Sequence, residues 1–515
     1  MAPLAVLGAT LLVLLALWGL SAQAQPESKQ KGISYASFVS GPFTQPDADL
    51  SLGDLAGAGA NWVSLVVTGY QSAVTSTTIV SSTAIPSDSD LVHAISRAHS
   101  LGLKVMLKPH VDLANDPAHW RGQISFTSEA DWAAWFTSYT SFMEHYADLA
   151  RANGVEQFSV GTELMGTTSR SREWRAVVAA VRSRYSGPLV YAADWAFEAM
   201  TIDWWDAVDY IGVDAYWPLT GKNDPTVPEL VAAWEPHVAD LAGLASRWGK
   251  SIIFTEIGYQ SRLGANNNPA GGPGSLDLQE QANAYQAVFE SAYGQPWLAG
   301  IYWWFWGVDP FEGGPCDTGF TPHNKPAEDV LRHWYGAPAR PIAGPAPPPD
   351  YSRVMSLYGD SLNAAWQDVS WDATRSLLAT DQVYSGTTAI SVTLGAWGGL
   401  TFQRPPLDSD YYWLELFVRG SSPGEQHLWA FLKGHDGAEL RKRPVDDCRY
   451  VTGGTIDPGA WKRVLIPMAD LNPNGRPFTT LSLQERSGQA ATSFWVDEIR
   501  LAGTAHRTYV SFVVR

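Results

Sequence analysis

Two glutamates carry the chemistry most plainly. Glu256 follows Ser251-Ile-Ile-Phe-Thr255, an apolar run suited to a buried strand, and Gly258 comes shortly after it. Glu163 closes a second stretch of the same design, Gln157-Phe-Ser-Val-Gly-Thr162. Continuous apolar runs of this length fit strands covered on both faces. A carboxylate at the end of such a strand sits where the chain leaves the core and meets a cleft. Two of them, far apart in sequence, are what hydrolysis of a glycosidic bond needs, one as acid/base and the other as nucleophile. A salt-bridged or merely exposed glutamate accounts for either stretch alone, but less well for the pair.

Those two stretches belong to a series. Between Lys31 and Gly336 eight apolar runs occur: Gly32–Ser37, Trp62–Val67, Lys104–Pro109, Gln157–Thr162, Leu189–Ala193, Tyr210–Ala215, Ser251–Thr255 and Gly300–Trp304. Segments between them show helical periodicity, as in Asp88–Leu101, Trp132–Asn153, Arg172–Tyr185, Val227–Trp248 and Leu278–Tyr293. Strands alternating with helices imply parallel pairing. Eight such units over residues 31–336 predict a closed (β/α)8 barrel, a fold whose sites lie at the C-terminal ends of its strands.

The ends of these runs are rich in polar and aromatic residues. They bring Tyr35, His110 with Asp112, Glu163, Asp194 with Trp195, Asp214 with Tyr216 and Trp217, Glu256, and Trp304 with Trp306 toward one cleft. Tyr35, His110, Asp194, Trp195, Tyr216, Trp304 and Trp306 are the candidate substrate contacts. Barrel packing competes for one of Trp304 and Trp306, and a satisfied structural role competes for His110. Trp120, Trp217 and Tyr70 are candidates for subsites further along. Tyr216 is placed to donate a hydrogen bond to Glu256. His110 and Asp112 alone do not make a metal site, because no further His or Cys cluster completes one.

The chain has 515 residues, too many for one ordinary domain, and a formal net charge of −17 without any run of Lys or Arg. Nucleic acid and anionic membrane surfaces are therefore poor partners. With 24 Trp, 20 Tyr and 18 Phe against 17% charged residues, the composition suits neutral sugars, whose C–H faces stack on aromatic rings. The expected partner is a neutral polysaccharide or oligosaccharide, and the expected state is a monomer.

Leu4 to Leu20 is an apolar run followed by Ala22-Gln-Ala24. This reads as a signal peptide over residues 1–24 and predicts a secreted protein, although the start lacks a Lys or Arg. The alternative is an uncleaved anchor. Residues 337–350 form a proline-rich linker. Beyond it, residues 351–515 alternate in short runs such as Tyr412–Val418, Leu428–Lys433, Arg463–Pro467 and Ser493–Leu501. That texture predicts an antiparallel β-sandwich accessory domain, which offers Trp366, Trp371, Trp397 and Trp413 for glycan contact. Cys316 and Cys448 are the two cysteines; a bond between them and two free thiols both remain open.

With these residues in view, residues 31–336 resemble glycoside hydrolase family 113, whose best-known members are retaining endo-β-1,4-mannanases on a (β/α)8 barrel. The resemblance rests on Lys31-Gly-Ile-Ser-Tyr35, Ala60-Asn-Trp-Val-Ser-Leu65, Leu103-Lys-Val-Met-Leu-Lys-Pro-His110, Val160-Gly-Thr-Glu163, Ile211-Gly-Val-Asp-Ala-Tyr216, Phe254-Thr-Glu-Ile-Gly-Tyr259 and Lys325-Pro-Ala327. It implies Glu163 as acid/base, Glu256 as nucleophile, no cofactor for catalysis, and hydrolysis of β-1,4-mannosidic bonds by double displacement. The clan commonly places asparagine before the acid/base; here that position is Thr162, which leaves open what reads the sugar 2-hydroxyl. Other neutral β-glycans (glucomannan, glucan, galactan) and an inactive glycan-binding protein are the alternatives. The C-terminal region more loosely resembles carbohydrate-binding or jelly-roll modules, through Leu357-Tyr-Gly-Asp-Ser-Leu362 and Phe494-Trp-Val-Asp-Glu-Ile-Arg-Leu501. On that looser likeness Asp360 and Asp497 are candidates for a structural Ca2+, against the more usual role of capping turns.

Overall fold

The computed structural model describes residues 29–503 except 38–40, 81–85, 196, 341–348, 409 and 422–425. The signal peptide expected over 1–24 and most of the expected linker lie outside the described residues. Among those described, no helix is long and apolar enough to cross a membrane.

Eight parallel strands close into a barrel in chain order: β1 (Gln30–Ala36), β2 (Trp62–Gln71), β3 (Lys104–Leu113), β4 (Gln157–Thr162), β5 (Leu189–Asp194), β6 (Tyr210–Asp214), β7 (Ile252–Ile257) and β8 (Leu298–Gly307). Helices α1 (Pro46–Gly57), α2 (Asp88–Ser100), α3 (Glu129–Ala152), α4 (Ser171–Arg184), α5 (Glu198–Thr201), α6 (Val227–Trp248), α7 (Leu278–Val288) and α8 (Pro326–Tyr335) connect or follow the strands. The predicted barrel is borne out. Local signals set the elements: Thr226 and Glu229 form a capping box at the start of α6, and Gly249 ends it at φ 64°. The chain then turns directly into β7. On α3, Trp132, Trp135, Tyr139, Phe142, Met143 and Tyr146 recur at helical spacing and are buried against the barrel.

The barrel interior is layered. At its lower end Trp62, Met106, Val190, Ile253 and Tyr302 pack together, and Tyr302 and Gln157 hydrogen-bond to Gln30 at 2.8 Å each. Side chains alternate along a strand, so Met106, Lys108, His110 and Asp112 of β3 climb one inner face from floor to mouth. Three strands break this alternation near their tops, β8 doing so against β1 between Trp303 and Trp306. The β4–β5 register advances three residues on one side for two on the other between Ser159 and Thr162. The β6–β7 register steps from Val213↔Phe254 to Asp214↔Glu256. Such bulges re-aim side chains. In β7 the extra residue lets both Thr255 and Glu256 face Asp214.

The second region is an antiparallel sheet curled on itself, built from β9 (Val354–Ser356), β10 (Gln367–Asp368), β11 (Trp371–Ala379), β12 (Ala389–Leu407), β13 (Trp413–Gly420), β14 (Leu428–Gly434), β15 (Arg443–Pro444), β16 (Lys462–Pro467), β17 (Phe478–Glu485) and β18 (Phe494–Ala502). The long β12 pairs with β18 through its first half and with β17 through its second. A separate apolar core, including Leu400, Leu414, Leu483 and Val496, fills the inside. Trp366 and Trp413 belong to the packed interior and are not available to a ligand, whereas Trp371 and Trp397 are exposed. Asp360 accepts N–H groups of Thr387 and Thr388, and Asp497 accepts those of Tyr384 and Ser385. That is a turn-capping arrangement with which a cation would have to compete.

The two regions are joined covalently and by arginines. Cys316 and Cys448 form a disulfide with Cα atoms 6.1 Å apart. The Arg443 guanidinium lies 3.6 Å from the centre of the Phe311 ring. Arg449 donates to the Phe311 carbonyl at 2.7 Å, and Arg441 pairs with Asp47 at 2.7 Å.

Candidate active site

Glu163 and Glu256 line one cavity of about 500 Å³ at the mouth of the barrel, together with His110, Asp194, Trp195, Tyr216 and Trp304. Tyr70, Asp112 and Trp120 also border it. Of the nine residues singled out for catalysis or substrate contact, two are elsewhere. Tyr35 is buried, with its hydroxyl donating to the Ala48 carbonyl at 2.8 Å and its ring against Phe43. Trp306 is fully buried, donates to Ser51 at 3.1 Å and stacks on His323 at 4.2 Å. Each sits at a strand end where the side chain turns outward toward the helices. Trp217 likewise packs on Trp234 and His237 and stays out of the cavity.

Glu256 is held from two sides. The Tyr216 hydroxyl donates to Oε2 at 3.1 Å, as expected from sequence. Lys108 donates to Oε1 at 2.5 Å from a wholly buried side chain and reaches Asp214 at 3.3 Å. Asp214 also accepts the Thr255 hydroxyl at 2.7 Å. Burial, then the charge of Glu256, pushes the Asp214 carboxyl well above the usual carboxylate range. Glu256 thus has a buried cation on one oxygen and a hydroxyl donor on the other.

Glu163 has a different environment. Burial raises its carboxyl to about 7; the Arg121 guanidinium opposes that rise and the charge of Glu256 adds to it. Arg121 donates to Glu163 Oε2 at 3.2 Å and to Asp112 at 3.1 Å. His110 lies beside Glu256, with Nε2 3.6 Å from Oε1 and Nδ1 3.5 Å from Arg121. Burial, reinforced by Lys108 and Arg121, lowers its pKa well below the ordinary histidine value, so the ring is neutral. Trp304 lies parallel to it at 6.4 Å, with 12° between the planes. A carboxyl raised by burial and a second one held by a lysine and a tyrosine, set in one cleft, form a pair that can serve acid-assisted glycoside hydrolysis.

The backbone at Glu163 is unusual. Its φ is 51°, a left-handed conformation uncommon outside glycine. It is held by its own N–H to the Ala192 carbonyl at 2.8 Å, and by the next N–H, that of Leu164, to the Tyr191 hydroxyl at 2.9 Å. Tyr191 in turn donates to Glu198 at 2.5 Å, and Glu198 accepts the Asp194 N–H at 2.6 Å. Burial raises the Glu198 carboxyl to about 8. Gly161 permits this support, because a Cβ there would stand 2.7 Å from the Tyr191 ring.

Residues 34–325 match the profile of Glycoside Hydrolase Family 113. The chain belongs to glycoside hydrolase family 113. Among solved structures, it is similar to the GH113 β-mannanase AaManA from Alicyclobacillus acidocaldarius in complex with ManMIm. The identity is 31%, covering 60% of this chain and 98% of that one, with a TM-score of 0.55. It is similar also to a GH113 β-1,4-mannanase solved as a complex, at 28% identity over 60% of this chain and all of that one, with a TM-score of 0.55. No curated protein matches the chain. Family 113 membership makes it a glycoside hydrolase, which needs no cofactor for its chemistry.

Lys108 and Arg121 were missed in reading the sequence for site residues. Lys108 carried a signal: it is a lone cation in an apolar run, two residues before His110 and hence on the same strand face. Arg121 reaches the family 113 site from the loop after β3, where no periodicity marks it.

Proposed function

We propose that the protein is a secreted retaining β-1,4-mannanase, with Glu163 as acid/base and Glu256 as nucleophile. The observation that carries this is the contrast between two glutamates in one cavity: Glu163 is raised to about 7, while Glu256 accepts Lys108 and Tyr216. In the first step Glu163 protonates the departing glycosidic oxygen while Glu256 attacks the anomeric carbon. In the second, Glu163 takes a proton from water, which displaces Glu256. Trp304 is the aromatic floor for the sugar ring, and Asp194 and Trp195 border it on the β5 side. The similarity to family 113 β-mannanases supports mannan as substrate, and the apolar run before Ala24 and the disulfide support export.

The test uses azide. Proton-assisted departure is dispensable for a substrate with a good leaving group, so Glu163→Ala should accumulate glycosyl-enzyme and release a β-glycosyl azide. Glu256→Ala should lose attack itself, and azide should enter from the opposite face to give the α-product. Exchanged products would reverse the two roles, and full activity in both variants would remove them from the chemistry. Product analysis on β-mannan, glucomannan, cellulose, xylan and galactan decides the sugar.

A further inference from the structure

The sandwich carries a feature that the barrel chemistry does not use. Across its sheet Trp371 stands opposite Gly399, Gly399 opposite Gln484, Gln484 opposite Trp429, and Trp429 opposite Pro444. Directly opposed residues of an antiparallel ladder share a face, so these five form one line. Their sequence neighbours Leu400, Leu428, Ala430 and Leu483 are in the core, so the line faces outward.

Trp371 and the neighbouring Trp397 are fixed while exposed, and Trp429 is half-buried. Trp371 occupies the space above Gly399, where a Cβ would lie 2.3 Å from its ring. Its Nε1 donates to the Trp397 carbonyl at 3.0 Å, and Gln484 Nε2 donates to the same oxygen at 3.1 Å. Both bonds hold Trp397 at φ 63°, a strained conformation for a bulky residue, and the residue is 54% exposed. Lys442 anchors Gln484 from the other side at 3.0 Å. The cations nearby have acidic partners, Lys433 and Lys442 with Glu439 and Arg486 with Asp446, so no field of one sign favours a polyanion. Trp429 and Pro444 also border a cavity of about 450 Å³ whose far wall is the loop after β8 around Phe311. That same loop continues to Phe320, which lines the catalytic cavity.

We propose that the line from Trp371 and Trp397 through Gln484 to Trp429 is a second glycan site, which holds a neutral polysaccharide away from the bond being cleaved. Indole faces take the C–H faces of successive sugars, and Gln484 and Lys442 take hydroxyls. Three strand steps separate Trp371 from Trp429, about 14 Å and so the reach of a short oligosaccharide. This inference rests on the reading of the barrel as a hydrolase of neutral glycans.

Retardation of the full-length protein in gels containing soluble β-mannan measures it, with Glu256→Ala in every version to prevent turnover. In parallel, kcat/KM on a short manno-oligosaccharide, without that substitution, reads the barrel. Trp371→Ala with Trp397→Ala should weaken retardation about tenfold or more, as loss of anchoring aromatics does, and leave oligosaccharide turnover unchanged. Gln484→Leu should weaken it less. Retardation undiminished in the double variant overturns the proposal, as does equal loss of retardation and oligosaccharide turnover. Should the double variant fail to fold, Trp397→Ala alone, at an exposed position, is judged by the same comparison. Retardation that depends on these tryptophans in a protein that hydrolyses no mannan would sink the barrel reading and leave this one standing.

Discussion

Lys108 donates to Glu256 at 2.5 Å from inside the barrel, where its side chain has no contact with solvent. The lysine stands one layer below the cavity mouth, and Thr255 and Asp214 complete its surroundings. The candidate nucleophile is therefore held by a charge that no substrate can displace.

Lys108→Met should be costly for that reason. It leaves Glu256 buried without its cation, and breaking one side of a buried pair typically costs about 3–5 kcal/mol. A large fall in thermal stability together with a fall in kcat is the expected result. A variant with unchanged unfolding temperature and unchanged kcat would show that the contact supports neither.

Tyr191→Phe should affect catalysis from a position that touches no substrate. The substitution removes the acceptor for the Leu164 N–H and the donor to Glu198. Each buried group left unmatched costs about 1–3 kcal/mol. The left-handed backbone at Glu163 loses its support, so kcat should fall more than KM rises. Equal kcat values for the variant and the wild type would refute this.

Activity on natural substrates should decline as pH rises through about 7, where Glu163 loses its proton. Arg121→Gln removes a positive charge that favours the ionised carboxyl. The Glu163 pKa should therefore rise, and the alkaline limb of kcat/KM should move to higher pH. A limb that stays in place, or moves down, contradicts the assignment. For an aryl glycoside with a good leaving group the limb should flatten.

Cys448→Ser opens a covalent link between residues 132 apart in sequence. Loss of such a bond typically removes about 2–4 kcal/mol of stability. Unfolding should shift accordingly, while turnover of short oligosaccharides should persist because neither cysteine borders the catalytic cavity. Loss of that turnover in a folded variant would tie the junction to the chemistry.

The barrel and the two glutamates were legible because both follow from simple patterns: apolar runs of strand length, separated by helical periods, two of them running straight into a glutamate. The bulges in β4 and β7 were not. A bulge depends on register with the neighbouring strand, and alternation counted along one strand would have pointed either Thr255 or Glu256 inward, not both. The same limit explains Tyr35 and Trp306, since a strand-end aromatic can turn to the cleft or to the helices. In the sandwich, counting tryptophans did not separate Trp371 and Trp397 from the packed Trp366 and Trp413. Only cross-strand pairing does that.

The arrangement around Lys108 has a consequence for the proposed double displacement. When the sugar esterifies Glu256, that carboxylate ceases to be an anion, and the buried ammonium loses its nearest counter-ion. Asp214, kept toward its neutral form by burial and by Glu256, is released from the repulsion at that moment. Glu163 becomes charged in the same step but acts on Asp214 less strongly than Glu256 does. Asp214 stands 3.3 Å from the same lysine. The lysine thus keeps an acidic neighbour throughout the proposed intermediate, and the barrel interior needs no new counter-ion when Glu256 is esterified.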